Sequence, residues 1–236
     1  MKLFIITYKT LLFLFIFNLS FSNLNETKFI YDVEIKGISV IAGNVGKCLL
    51  IFREDSLKTF NMNIKIQTTN LAKLLYPYTD EIMIKTDSTF SLLSFNQTIK
   101  PSKKNVKVEV DTINKKITRN NKIQNFYSDS LYSPFSIIHL LRKQNLNIND
   151  EFSFNILSSK KIKKLILKVF ESEMISVPYG KFDSIRLKPI SKDYKIKNNG
   201  QIEVWYSNDN KKLPLKIKLN SNIGTFIMKL KQVKND

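Results

Sequence analysis

Among its 236 residues the chain has one cysteine, one histidine and one tryptophan, and only six glycines and six prolines. The lone Cys48 excludes an internal disulfide, so the fold must rest on packing. It sits in an apolar run, which fits a small buried hydrophobe better than a reactive thiol. One histidine and one cysteine exclude the common zinc patterns. Gly37, Gly43 and Gly46 match neither common phosphate-loop spacing. No Gly-x-Ser-x-Gly elbow is present, so a hydrolase of that type lacks its nucleophile. These absences lead to the expectation of no catalytic residue, no cofactor and no resident metal.

Acids are also scarce. There are 20 against 38 lysines and arginines, for a net charge of +18. Such a surface favours anionic partners: nucleic acid, anionic lipid head groups or acidic polysaccharide. A bias towards Lys, Asn and Ile across surface positions explains the same excess without any partner.

The amino terminus decides between these partners. Met1 to Thr10 carries Lys2 and Lys9 and no acid, Leu11 to Leu19 is apolar, and Ser20-Phe21-Ser22 places small residues before a cut. That is the layout of a signal peptide over residues 1–22. The apolar run is shorter than the ~20 residues a spanning helix needs. Leu3 to Tyr8 lengthens it across Lys9, so the alternative is an uncut membrane anchor. With two lysines removed, the remainder from Asn23 to Asp236 keeps +16 of the +18. Export to the periplasm or beyond argues against nucleic acid as partner. The oligomeric state is not indicated.

What the sequence does have is alternation. Met62, Ile64 and Ile66 alternate with polar residues. So do Val106, Val108 and Val110, then Leu165, Leu167 and Val169. Leu215, Ile217 and Leu219 follow, and then Phe226, Met228 and Leu230. This period of two predicts strands with one apolar and one wet face, as antiparallel sheets allow. Asn and Asp are expected to make the turns that the scarce Gly and Pro cannot, at Asp111 to Lys115, Asn198-Asn199-Gly200 and Ser207 to Asn210. One principal helix is predicted, capped by Ser133 with Pro134 in its first turn and running to about Gln144. Its apolar face is Ile137, Ile138, Leu140 and Leu141. Ser136, His139 and Lys143 fall opposite, which predicts a solvated imidazole. A shorter helix is possible from Asn70 to Tyr76, stopped by Pro77. The fold class is therefore mainly β: a curved antiparallel sheet, or an open barrel or sandwich, with one helix packed against it. No linker or repeat divides the chain, so one domain over 23–236 is expected.

Other residues carry alternatives. Glu171 and Glu173, two apart on a strand, either hold a cation loosely or are simply solvated. Trp205 is either core or the lining of a groove. Phe126, Tyr127 and Tyr132 lead into the helix and are expected to pack beneath it.

Several pieces recur together in a known family. They are Tyr31 to Gly43, Val108 to Asp111, Leu131-Tyr132-Ser133-Pro134-Phe135-Ser136 through Leu140-Leu141-Arg142, Val177 to Phe182, Val204-Trp205-Tyr206-Ser207-Asn208-Asp209 through Leu213-Pro214-Leu215, and Ile223-Gly224-Thr225. In this order, from about Phe29 to Leu230, the chain resembles the bacterial exported family of domain of unknown function 3108. The resemblance implies an envelope protein with a curved antiparallel sheet and a helix against it, and no activity. Tyr132 stands where the family commonly has an acid. Tyr132, Arg142, Trp205 and Asp209 are the candidate ligand-binding residues, as a shared site or as shared structure. Arg142 either clamps a carboxylate or phosphate with its fork or caps the last carbonyls of its own helix.

The leading expectation is a non-enzymatic envelope protein. It either carries an apolar or amphipathic ligand in its sheet or docks on an acidic envelope surface. A scaffold for envelope assembly is the alternative, and an enzyme using paired acids on polysaccharide is the third.

Overall fold

A computed structural model of the chain describes residues 26–36, 44–55, 58–158, 161–190, 201–221 and 224–235. The signal segment at 1–22 and the turn expected at 198–200 lie outside them.

The alternating segments become strands. The first half gives β1 (Glu26–Lys36), β2 (Asn44–Glu54), β3 (Phe60–Thr68), β4 (Thr79–Thr86), β5 (Leu92–Lys100), β6 (Lys104–Asp111), β7 (Lys116–Arg119) and β8 (Lys122–Asn125). The second half gives β9 (Glu151–Ser158), β10 (Lys161–Val177), β11 (Gly180–Pro189), β12 (Gln201–Ser207), β13 (Pro214–Ser221) and β14 (Gly224–Asn235). A short helix α1 (Asn70–Leu75) joins β3 to β4, and α2 (Pro134–Arg142) precedes β9. The strands form one 14-stranded sheet in the order β8-β7-β6-β5-β4-β3-β2-β1-β14-β13-β12-β11-β10-β9. Each half is a meander of neighbours, and the antiparallel pair β1–β14 joins the two.

Register explains the two faces. Val169, Leu187, Val204, Ile217, Met228 and Val33 stand directly opposite one another across successive strands. All six are buried. Phe170, Arg186, Trp205, Lys216, Lys229 and Asp32 form the adjacent row. Because side chains alternate along a strand, this second row lies on the outer face.

The sheet curls until its flank meets β9. The backbone of Leu131 and Tyr132 fills the seam. The Leu131 carbonyl accepts from the Leu92 N–H at the start of β5. The Tyr132 N–H donates to the Asn155 carbonyl, and its own carbonyl accepts from Leu157 N–H. Two residues of connecting chain thus tie β5 to the free edge of β9, while β6 to β8 continue past the seam. Tyr132 is half-buried and sets its ring edge-on to Phe154, at 5.4 Å. Phe126 is buried as expected, but Tyr127 is exposed and packs under nothing.

The helix α2 occupies the concavity. Ser133 accepts from the Ser136 N–H, and the Ser136 hydroxyl accepts from the Ser133 N–H, a reciprocal cap with Pro134 at the first turn. Ile137, Ile138 and Leu141 enter the core, as do Ser136 and His139. The solvated face expected for His139 does not exist. His139 is only 2% exposed. Its ring stacks on Phe52 at 4.3 Å and lies 5.8 Å from Phe29. Where the curled sheet encloses the helix, the stripe residues Ser136 and His139 face wall, and only Lys143 at its end reaches solvent. Two tyrosines fix the arrangement: Tyr206 donates to the Ile138 carbonyl, and Tyr31 donates to the Pro214 carbonyl.

Turns use Asn and Asp as expected, but lysine too. Asn120, Asn121 and Asn149 adopt left-handed backbone, and so do Lys58, Lys103, Lys115 and Lys212. A non-glycine residue there costs roughly 1–2 kcal/mol, so these turns are held by their surroundings. At Asp111 the side chain accepts from the Ile113 and Asn114 N–H groups.

Candidate functional site

The outer row at β10 to β13 gathers charged and aromatic residues. Trp205 on β12 is opposite Arg186 on β11 and Lys216 on β13. The Lys216 ammonium lies 3.9 Å from the Trp205 ring centroid, and the Arg186 guanidinium lies 5.0 Å from it. Trp205 Nε1 donates to Glu173 Oε1 at 2.5 Å. These three neighbours leave Trp205 only 3% exposed, although it points away from the core. Trp205 is thus neither core of the barrel nor an open platform. It is the centre of a cation-covered cluster, where each cation gains from the ring's negative face.

Glu203 anchors the same cluster. It accepts from Arg186 Nε at 3.1 Å and Nη2 at 2.5 Å, and from Lys218 Nζ at 3.3 Å. Burial pushes its carboxyl up, but the Arg186 hydrogen bonds and charge, with Lys218, more than offset this and hold it below the ordinary range. Burial lowers the Lys216 ammonium, opposed by Glu173 and reinforced by Arg186, Lys229 and Lys218.

An open cavity of ≈ 380 Å³ adjoins this cluster, bounded by Ile148, Phe170, Glu171, Glu173 and Arg186 among others. The β10 register shifts between Phe170 and Ser172, so Glu171 sits at a bulge. Glu171 and Glu173 therefore are not a simple strand pair, and Glu173 already accepts from Trp205. Among the described residues no group of three or more His, Cys, Asp or Glu can hold a metal ion.

The four candidate residues do not meet at one place. Arg142 and Asp209 are linked. Asp209 Oδ1 accepts from the Lys211 and Lys212 N–H groups and from the Ser207 hydroxyl, which closes the β12–β13 turn. Arg142 then donates Nε to the Lys212 carbonyl at 3.1 Å and Nη2 to the Lys211 carbonyl at 3.3 Å. Its guanidinium lies 5.0 Å from the Phe29 ring centroid. Arg142 does not cap its own helix: its fork holds the carbonyls of a turn some 70 residues away. Trp205 belongs to the outer cluster, and Tyr132 to the seam. Arg186, Glu203 and Lys216 complete the cluster and are not singled out by the sequence, whereas Glu173, read there as a cation ligand or a solvated acid, is instead the acceptor for Trp205. The signal of the other three was only that each sits at an outward strand position. Cys48 is buried, and burial, with Asp80 nearby, pushes its thiol up to about 12.

The family model described as "Protein of unknown function (DUF3108)" matches residues 53–231. The chain belongs to this family. The match begins after Tyr31 to Gly43, so that piece of the resemblance lies outside the matched range. A DUF3108 chain carries no activity with its name. A comparison with curated proteins finds no match. Among solved structures, a beta-barrel-like protein of domain of unknown function DUF1849 from Brucella abortus is similar in fold, with a TM-score of 0.61 and 9% identity. The comparison covers 91% of this chain and 99% of that one. At that identity the likeness is one of fold alone. Two weaker matches bear no argument. One is described as a candidate lipoprotein from Parabacteroides distasonis, with a TM-score of 0.35 at 14% identity, over 90% of this chain and 96% of that one. The other is described as a candidate exported protein with a YmcC-like fold from Bacteroides fragilis, with a TM-score of 0.31 at 14% identity, over 90% and 95%. Among the described residues no helix is long and apolar enough to cross a membrane.

Proposed function

We propose that this DUF3108 protein is exported, is not an enzyme, and works by docking its basic exterior on an acidic surface of the cell envelope. The observation that carries the reading is how the concavity is used. The space a carrier needs for its cargo is taken by α2, whose Ile137, Ile138 and Leu141 are buried against the wall. The cavity beside Phe170 and Arg186 is open, polar-rimmed and outside the barrel. It offers an apolar ligand little enclosure. The exterior, by contrast, presents successive lysines from one-sided strands, including Lys216, Lys218, Lys229 and Lys231.

Part of that charge is already paired. Lys229 meets Glu34, Lys231 meets Asp32 and Lys218 meets Glu203. Docking would use the excess that remains, because the 20 acids cannot neutralise the 36 basic residues left (38 − 2) once residues 1–22 are removed. Export rests on the layout of residues 1–22 and is part of the proposal.

Binding of the purified protein to immobilised acidic polysaccharide and to anionic vesicles is the test. Retention on both or either, falling steeply between low salt and about 0.5 M as a short Debye length screens the contact, is the expected result. Equal retention on neutral supports, or none on any anionic surface, would remove the reading.

A further inference from the structure

The short helix α1 carries its apolar stripe on the wrong side for a soluble protein. Leu71, Leu74 and Leu75 recur at the three- and four-residue spacing that makes one helix face. They are 75%, 80% and 70% exposed, and Tyr76 is 61% exposed, while the small Ala72 is the residue buried. A surface helix normally turns such a stripe inward. Scattered exposed leucines need no explanation, but a contiguous cluster does.

The surroundings say what would cover it. Lys73, also exposed, stands in the same helical turn. The register pair Thr79–Lys100 sets the exit of α1 beside the β5–β6 turn, which carries Lys100, Lys103 and Lys104, all exposed. Thr69 N–H donates to the Val45 carbonyl, which sets the entry of α1 beside the start of β2. Neither 69–78 nor 101–105 contains an acid. The rings of Tyr76 and Tyr78 stack at the base of the tip, 6.2 Å apart, and Tyr78 donates to the buried Asp80. Leucines at a tip, tyrosines below them and lysines around them match the layers of an anionic bilayer: acyl chains, interface and charged head groups.

We propose that the α1 connection is a membrane-docking tip, with Leu71, Leu74 and Leu75 entering a bilayer of anionic phospholipid and Lys73, Lys100, Lys103 and Lys104 meeting its head groups. This rests on the docking reading above and names its surface and its element. The tip lies on the β3–β4 connection and the Trp205 cluster on β10 to β13, so docking through the tip leaves that cluster free.

Flotation of the protein with vesicles tests it. The vesicles are phosphatidylcholine containing phosphatidylglycerol, against phosphatidylcholine alone. Two variants are compared with the parent protein. Leu74→Asn with Leu75→Asn removes the apolar tip. Lys73→Gln with Lys103→Gln and Lys104→Gln removes charge and keeps the leucines. Every changed side chain is exposed, so the barrel should fold in both, which circular dichroism checks. The parent should float with the anionic vesicles. Each basic residue near such a surface strengthens binding roughly fivefold, so the lysine variant should bind on the order of a hundredfold more weakly. The leucine variant should lose at least about tenfold. Anionic-vesicle binding unchanged in both variants overturns the tip and leaves the docking reading standing. No binding of the parent to any anionic surface removes both. A parent that self-associates through the tip, with the leucine variant monomeric and vesicle binding unchanged, assigns the stripe to a second copy and overturns the proposal.

Discussion

Replacing His139 by leucine should make the protein more stable, and less sensitive to mild acid. The imidazole is buried on α2, and neither ring nitrogen has a hydrogen-bond partner in the protein. An unsatisfied buried polar group costs about 1–3 kcal/mol. The stack on Phe52 returns about 0.5–1.5 kcal/mol, so leucine should gain on the order of 1 kcal/mol at pH 7.5. The pH effect is larger. Burial, with the charges of Arg142 and Lys143, holds the folded imidazole well below its ordinary value. The groups packed on it from the sheet are the uncharged rings of Phe52 and Phe29. Below about pH 6.5 the unfolded chain therefore takes up a proton that the folded chain refuses. Stability falls as pH falls through that window, by about 1.4 kcal/mol per pH unit, until the folded value is reached. Carboxylates with lowered values, such as Glu26 and Glu203, act at lower pH. Denaturant midpoints at pH 7.5 and 5.5 should converge in His139→Leu and separate in the parent. Equal slopes in both would contradict the buried, neutral imidazole.

The second large effect is expected at Gly46. It pairs with Val33 on one side and Thr68 on the other. A Cβ at this position would stand 2.5 Å from the Gln67 carbonyl oxygen, a backbone atom that cannot rotate away. Gly46→Ala must therefore push β2 from β3, beside the root of α1. Overpacking of this kind costs about 1–3 kcal/mol, and the upper end applies here because both neighbours are paired strands. A urea midpoint lowered with an unchanged slope would report it. A midpoint within about 0.5 kcal/mol of the parent, as for an ordinary surface change, would mean the strands are not this close.

The strands were legible because each alternation is local. Met62 to Ile66, Val106 to Val110 and Leu215 to Leu219 need no partner to declare their faces. The cap of α2 was legible for the same reason, since Ser133 and Pro134 act on their own turn. So was the turn role of Asp209. The errors share another cause. His139 was assigned to water because helical periodicity gives the stripe but not what stands opposite it, and here that is Phe52. The partners of Arg142 lie on a distant turn, and only the curl of the sheet brings them near. The Trp205 cluster depends on the register of four strands, with bulges at Phe170/Ser172 and Trp205/Tyr206, and register is not written in any one strand. The seam at Leu131 and Tyr132 is made mostly by backbone atoms, which every residue carries alike, with the Ser91 hydroxyl added at Leu131.

On the docking reading the working surface lies outside the barrel, whose concavity α2 fills. The most direct test is the mass of the protein as isolated from the exporting cell, measured intact under native conditions and without detergent. The mass of residues 23 to 236 alone is the expected result. A species heavier by one apolar or amphipathic molecule per chain would contradict it and restore the carrier.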